Sequence, residues 1–267
     1  MYAFDYHRPA TLKEAASLLR KNADARPISG GQSLIPALKL RLARAPALVD
    51  LGGIEELRGI KLEAAMLTIG ARMTHGEVAA SKDVAIGIPA LARLAEGIGD
   101  RQVRNMGTLG GSLANNDPAA DYPAAVVGLG ATIHTNKREI AADKFFTGLY
   151  ETALKAGEII TQVTFPLPKR AAYVKFRNPA SRYAIVGVFV SEGAGAARVA
   201  ITGAANCVFR VKDMEKKLGQ NFAAEAIAKV RVPTDKLNSD LHASAEYRAH
   251  LITVIAQRAV EAALSGK

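Results

Sequence analysis

Apolar residues recur at helical spacing near the start of the chain and again near its end, with short apolar runs between them. Leu12, Ala15, Ala16, Leu18 and Leu19 follow a Thr11–Glu14 capping-box pair, which predicts a helix over residues 11–20. Arg26-Pro27-Ile28-Ser29 reads as a strand running into a glycine pair. Leu34 to Leu42 reads as a helix, with Lys39, Arg41 and Arg44 towards the end where cations suit the helix dipole. Ala47 to Leu51 reads as a short buried strand before a Gly52-Gly53 turn. The first 55 residues thus predict strand, helix, strand, then a further short strand.

A second section follows. Leu57–Ile60 and Met66–Ile69 read as strands, Thr74–Ala80 as a helix with Glu77 three after Thr74, and Pro89–Ile98 as another helix. Short strands are expected around Val126–Leu129, Thr132–His134 and Ile159–Phe165, and Pro166-Leu167-Pro168 marks a boundary. Beyond it, Tyr173–Arg177, Ile185–Ser191 and Arg198–Thr202 predict a three-stranded antiparallel sheet. Helices over Ala223–Val230 and Ala243–Ala263 are expected to cover it. The fold class expected is α+β, in three units spanning 1–56, 57–168 and 169–267.

Composition narrows the function classes. Hydrophobic residues make up 49% and charged residues 22%, as in a soluble chain with a core. No run of about 18 apolar residues predicts a membrane span. The first residues lack the basic and apolar regions of a signal peptide, so a cytoplasmic location is expected. The single cysteine, Cys207, makes no intrachain disulfide and holds no iron–sulfur cluster, which takes about four. His7, His75, His134, His242 and His250 fall at no metal-ligand spacing, so no metal site is expected. The net charge of +10 is densest from Lys169 to Arg182, where Lys169, Arg170, Lys175, Arg177 and Arg182 occur with no acid between them. That stretch reads as a solvated face or as a surface for an anionic ligand or partner. No nucleic-acid-binding motif accompanies it.

Two segments carry chemistry. In Ile28-Ser29-Gly30-Gly31-Gln32-Ser33-Leu34, a strand meets two glycines, a small polar residue and a helix. Glycines let amides approach a diphosphate unobstructed, and successive N–H groups in a tight turn make an anion nest. Taken alone, the pattern also occurs for steric reasons. In Gly107-Thr108-Leu109-Gly110-Gly111-Ser112, three glycines interleave with two hydroxyls, and Asp117 and Asp121 follow. An ionised carboxylate is a pure acceptor, suited to sugar or ribityl hydroxyls. Neither segment is a P-loop, and neither matches the G-x-G-x-x-G dinucleotide fingerprint.

Ser29-Gly30-Gly31-Gln32-Ser33-Leu34-Ile35-Pro36 resembles the first diphosphate motif of the flavoprotein subunits of molybdenum hydroxylases, such as the carbon monoxide dehydrogenase medium subunit and the xanthine dehydrogenase FAD-binding subunit. Thr108-Leu109-Gly110-Gly111-Ser112-Leu113-Ala114 with Asp117-Pro118-Ala119-Ala120-Asp121 resembles the second. Phe4-Asp5-Tyr6-His7-Arg8-Pro9 and His242-Ala243-Ser244-Ala245-Glu246-Tyr247-Arg248 are similar to the ends of that family.

The resemblance implies a two-part FAD-binding domain of the vanillyl-alcohol-oxidase (PCMH) type and a small C-terminal domain. It implies a first loop of Pro27, Ile28, Ser29, Gly30, Gly31, Gln32, Ser33 and Leu34, and a second of Thr108, Gly110, Gly111 and Ser112. Asp121, with Asp117 as second candidate, would stand near the ribityl chain. Ile98 and Ile160 would line the flavin or adenine, Lys175 would lie near the isoalloxazine and favour its reduced anion, and Tyr183 would stack near the ring. No catalytic residue is implied, because the flavin itself does the redox chemistry. Molybdenum cofactor and [2Fe-2S] clusters would sit on a large and a small partner subunit, in a dimer of heterotrimers. One cysteine excludes the extra cluster that some relatives carry in this subunit. A stand-alone flavin oxidase or reductase of the same fold is the alternative.

Overall fold

The computed structural model describes residues 1–266. A small parallel sheet comes first, with Ala47–Asp50 between Asp5–His7 and Arg26–Ile28. Helix Leu12–Lys21 packs on it through Ala15, Ala16 and Leu19, and Thr11 caps that helix by accepting from the Glu14 amide. Burial of Leu48, Val49, Ile54 and Leu57 completes this layer. Helix Leu34–Lys39 is shorter than expected, because Arg41 takes φ 60 and ends it.

The middle of the chain builds a five-stranded antiparallel sheet in the order Ile60–Glu63, Met66–Gly70, Ile160–Pro166, Thr132–Thr135, Glu139–Ala141. Six helices lie between His75 and Gly128, and of these Lys82–Gly87 and Leu109–Asn115 contact the sheet. Two expectations fail here. Leu57 closes a 3-10 turn, Glu55–Leu57, and the strand starts only at Ile60, after Gly59 at φ 117. Val126 and Val127 lie in helix Tyr122–Gly128, not in a strand. Every residue of that helix is buried, so its apolar run carries no helical periodicity to read.

The C-terminal sheet has four strands, not three: Arg170–Arg177, Ala184–Glu192, Ala197–Thr202 and Phe209–Arg210. The fourth has two residues and pairs with Ala200 and Ile201, too short to show an alternation in sequence. Helix Ala245–Ser265 lies over the first two strands, with Leu251, Ile252, Ile255, Ala256, Ala259 and Val260 buried. The helix expected over Ala223–Val230 is confined to Ala224–Ile227.

Strand Ala184–Glu192 is buried on both faces because helix Tyr122–Gly128 covers its other side. Phe189 presses on Gly128, where a side chain would approach to 2.7 Å. Ser191 Oγ donates to Gly128 O at 2.6 Å, and Arg198 Nε donates to Val127 O at 2.9 Å. The last section is therefore joined to the middle one through both apolar contact and hydrogen bonds.

Candidate functional site

The two glycine turns meet. Thr108 Oγ1 donates to Ser29 Oγ at 3.1 Å, and a Cβ on Gly30 would lie 2.1 Å from Met106 O. Glycine is required at position 30 because the backbone of the second turn already fills that space. Gly31 takes φ 70, a left-handed geometry that glycine adopts without steric cost.

The turns then differ in what they offer. None of the amides of Gly30, Gly31, Gln32, Ser33 or Leu34 donates to another described residue, and the Ser33 hydroxyl makes no cap bond. That consecutive run of free donors is an anion nest. In the second turn, Gly107 N donates to Val103 O at 2.7 Å, Leu109 N to Met73 O at 3.0 Å and Gly110 N to Ala71 O at 2.8 Å. Gly111 N donates to Thr108 Oγ1 at 3.1 Å. A Cβ on Gly110 would sit 2.6 Å from Ala71 Cβ. Most second-turn amides thus hold the fold, and its glycines permit close packing there. Nothing in the sequence separates the turns in this respect, because tertiary partners leave no local pattern.

The two acids have different surroundings. Asp121 is buried, receives two bonds from Lys175 Nζ at 3.0 Å, and accepts from the Tyr173 hydroxyl. Burial pushes its carboxyl upward, while Lys175 and Tyr173 oppose the shift. Lys175 gives its remaining hydrogen to Gly97 O at 3.1 Å. The lysine expected to act on a ligand therefore has all of its donors engaged, and its charge is matched by Asp121. Asp117 is only part-buried; its Oδ1 accepts from Ala119 N at 2.9 Å. Tyr150 stands against Asp117, and burial together with that carboxylate pushes its phenol upward.

Tyr183 is exposed at the end of the loop from Asn178, and Ile98 is half-buried against the middle core. Ile160 lies within that core, only 5% exposed. Lys169 and Arg170 pair with Glu192 at 3.5 and 2.7 Å, so one carboxylate offsets part of the basic charge at the start of the stretch.

Three features lay outside the sequence reading. Asn116, at φ 44, donates to Gly148 O at 2.8 Å and Glu151 O at 2.7 Å, fixing the loop that carries Tyr150 to the end of the second glycine helix. His75 lies behind the second turn: its amide donates to Gly107 O, and its ring lies 5.3 Å from that of Tyr122. Its Nδ1 and the Tyr122 hydroxyl are buried without partners among the described residues. Burial, with Arg104 nearby, holds the imidazole pKa down to about 4. Finally, a cavity of about 300 Å³ is lined by Arg93, Arg104, Arg177, Arg182 and Glu96 beside Gly97 and Gly99. Its residues come from distant segments, so no motif announces it.

Among the described residues, no group of three potential ligands suits a metal ion, and no helix is long and apolar enough to cross a membrane.

A run of free amides meeting a second glycine turn is the donor set of a protein that holds an anionic cofactor. The chain belongs to the FAD-binding medium subunits of molybdenum hydroxylases: residues 2–168 match the family of the FAD binding domain in molybdopterin dehydrogenase. It is 36% identical to the carbon monoxide dehydrogenase medium chain of Afipia carboxidovorans, over 98% of this chain and 96% of that one. It is 34% identical to the nicotine 6-hydroxylase medium subunit of Paenarthrobacter nicotinovorans, over 97% and 96%. Among solved structures, quinoline 2-oxidoreductase from Pseudomonas putida 86 superposes with a TM-score of 0.89 at 34% identity, covering 99% of this chain and 98% of that one.

Proposed function

We propose that this chain is the electron-transfer subunit of a molybdenum hydroxylase, taking electrons from [2Fe-2S] clusters on a small partner and passing them through FAD to a final acceptor. The molybdenum cofactor belongs to a large partner, and the assembly is a cytoplasmic dimer of heterotrimers. The family match over residues 2–168 and the similarity to relatives along 98% of the chain support this reading, and the free amides from Gly30 to Leu34 carry it. Five donors in one short turn suit the two phosphates of FAD and have no internal use.

The architecture in this reading is two-part, of the vanillyl-alcohol-oxidase type over 1–56 and 57–168, with a C-terminal domain over 169–267. Pro27 to Leu34 cradle the diphosphate. Ser112 adds a hydroxyl, Thr108 joins the second turn to the first through its bond to Ser29, and Gly110 and Gly111 bring that helix close. Asp117 is the more accessible acceptor for ribityl hydroxyls, because Asp121 is already committed to Lys175 and Tyr173. Tyr183 and Ile98 flank the ring, and Ile160 backs it from the core. When bound, the flavin supplies the two-electron chemistry; the chain binds it, orients it and sets its electrostatic surroundings.

The test is the absorption spectrum of the purified chain, followed by co-purification from its native source. Flavin bands and partners bearing molybdenum and iron–sulfur clusters are expected. A chain that stays colourless after incubation with FAD would overturn the reading.

A further inference from the structure

Residues 178–183 connect strands Arg170–Arg177 and Ala184–Glu192, and Tyr183 ends that loop. Tyr183 is exposed, yet its phenol stands in the field of Asp117 and Asp121 and near Tyr150; partial burial beside those carboxylates pushes its pKa upward. It therefore lies at the acids proposed above to meet the flavin.

One buried amide organises the loop. Asn178 Oδ1 accepts from Ala180 N at 2.9 Å and Ser181 N at 3.1 Å. Asn178 O accepts from Arg182 N at 2.9 Å, and Asn178 N donates to Tyr183 O at 2.8 Å. The side-chain oxygen is committed to the turn, so the amide cannot flip without losing both bonds. Its Nδ2 must face His242 Nδ1, 3.3 Å away, and that ring nitrogen is the acceptor. Arg182, left-handed at φ 63, sets the exit to Tyr183. A non-glycine residue holds such a conformation where its surroundings over-determine it.

His242 belongs to a rigid corner. Asp240 Oδ1 accepts from His242 N at 2.9 Å and Ala243 N at 3.1 Å, and its Oδ2 accepts from Arg248 Nη2 at 2.7 Å. Arg248 is buried, and its Nη1 donates to Ile185 O at 2.7 Å and Gly203 O at 2.8 Å. One unit, residues 240–248, thus grips the chain on both sides of Tyr183, at Asn178 before it and at Ile185 after it. The strand ladder already closes the loop, with Arg177 opposite Ala184. The second grip fixes what the loop presents.

We propose that Asn178 and His242 are positioning residues for the flavin: through them, the 240–248 corner holds the Tyr183 ring against the isoalloxazine. The inference rests on the flavoprotein reading above, in which Tyr183 flanks the ring. One aromatic face stacks weakly, and on a mobile loop much of that interaction is lost to ordering. A loop braced beforehand avoids the loss.

The test uses the full chain loaded with FAD. It reads the fluorescence of bound flavin, which a stacked tyrosine quenches, beside FAD content and thermal melts. Tyr183→Leu should raise that fluorescence about twofold or more, as loss of a stacked ring implies. His242→Leu should reproduce most of the rise at unchanged FAD content, and combining the two should add nothing further. His242→Asn, which keeps an acceptor near the Nδ1 position, should restore the wild-type signal. Should His242→Leu not fold, Asn178→Ser reads the same contact, because serine keeps a turn acceptor but falls short of His242. A rise in Tyr183→Leu with none in His242→Leu or Asn178→Ser, lower melting temperatures without a fluorescence change, or rises that add in the double variant would each overturn the proposal. A chain that takes up no FAD sinks the flavoprotein reading and the proposal with it. Normal FAD content with unchanged fluorescence in every variant sinks the proposal alone.

Discussion

The hydroxyl of Thr108 reaches the hydroxyl of Ser29 across 79 residues of sequence, and this bond joins the two glycine turns. Thr108 also accepts from Gly111 N, so one side chain caps a helix and bridges two segments. Ser29→Ala should cost about 1 kcal/mol and Thr108→Ala about 2 kcal/mol of unfolding free energy. A double-mutant cycle by chemical denaturation should give a coupling of about 1 kcal/mol; additive effects would show that the bond contributes nothing.

Gly31 and Gly110 should respond differently to substitution. Gly110→Val forces a side chain into Ala71 and should lower stability by about 1–3 kcal/mol or more, with or without flavin. Gly31→Val strains a left-handed position by about 1–2 kcal/mol and places bulk in the turn with the free amides. Its main effect should be on FAD affinity. Thermal melts with and without FAD, alongside flavin titrations, distinguish the two; equal loss of affinity with intact folding in both would refute the division of labour.

The Lys175–Asp121 pair should behave as a unit. Lys175→Ala leaves a buried carboxylate unmatched and should destabilise the chain by about 3–5 kcal/mol. It should also lower the flavin midpoint potential, because an added negative charge disfavours the reduced anion. Lys175→Met combined with Asp121→Asn should recover most of the stability and most of the potential. A double variant with the potential of Lys175→Ala would mean that the lysine acts on the flavin independently of Asp121.

His75 sets a pH dependence of known sign. Its folded pKa of about 4 lies below the ordinary 6.5, so between these values the unfolded chain binds the extra proton. Stability is fully present above about pH 6.5 and declines as pH falls towards 4, by on the order of 3 kcal/mol in all. Glu158, with its pKa lowered to about 2 by bonds from Arg138, Lys155 N and Thr135, stabilises fully above its ordinary 4.5 and loses that contribution only as pH falls below it. Glu158 is therefore silent from pH 6.5 to 4.5, and Asp121, whose carboxyl burial pushes upward, is common to the wild type and a His75 variant and cancels in their difference. His75→Leu should flatten denaturation midpoints across that window, and an unchanged slope would assign the dependence elsewhere.

Local signals in the sequence carried much of the architecture. The Thr11–Glu14 and Thr74–Glu77 pairs both mark helix starts, and the latter forms the full reciprocal capping box. The two glycine segments were recognisable because their residue types answer to backbone geometry. The buried helix Tyr122–Gly128 was misread because burial on all sides erases amphipathic periodicity. The use of the Gly110 amide by Ala71, the capture of Lys175 by Asp121 and the convergence of Arg93 with Arg182 depend on tertiary placement. No window of sequence contains both members of any of these pairs.

Thr202 Oγ1 donates to Pro118 O at 2.9 Å and Ala120 O at 2.7 Å, and Gly203 N donates to Pro118 O at 2.8 Å. The C-terminal sheet thus clasps the segment between Asp117 and Asp121, while the family match stops at residue 168. A fragment cut at that match would lose the clasp, the lysine that neutralises Asp121 and the cover over helix Tyr122–Gly128. The segment that the family model matches is smaller than the unit that must fold together, and the relatives accordingly match this chain along 98% and 97% of its length.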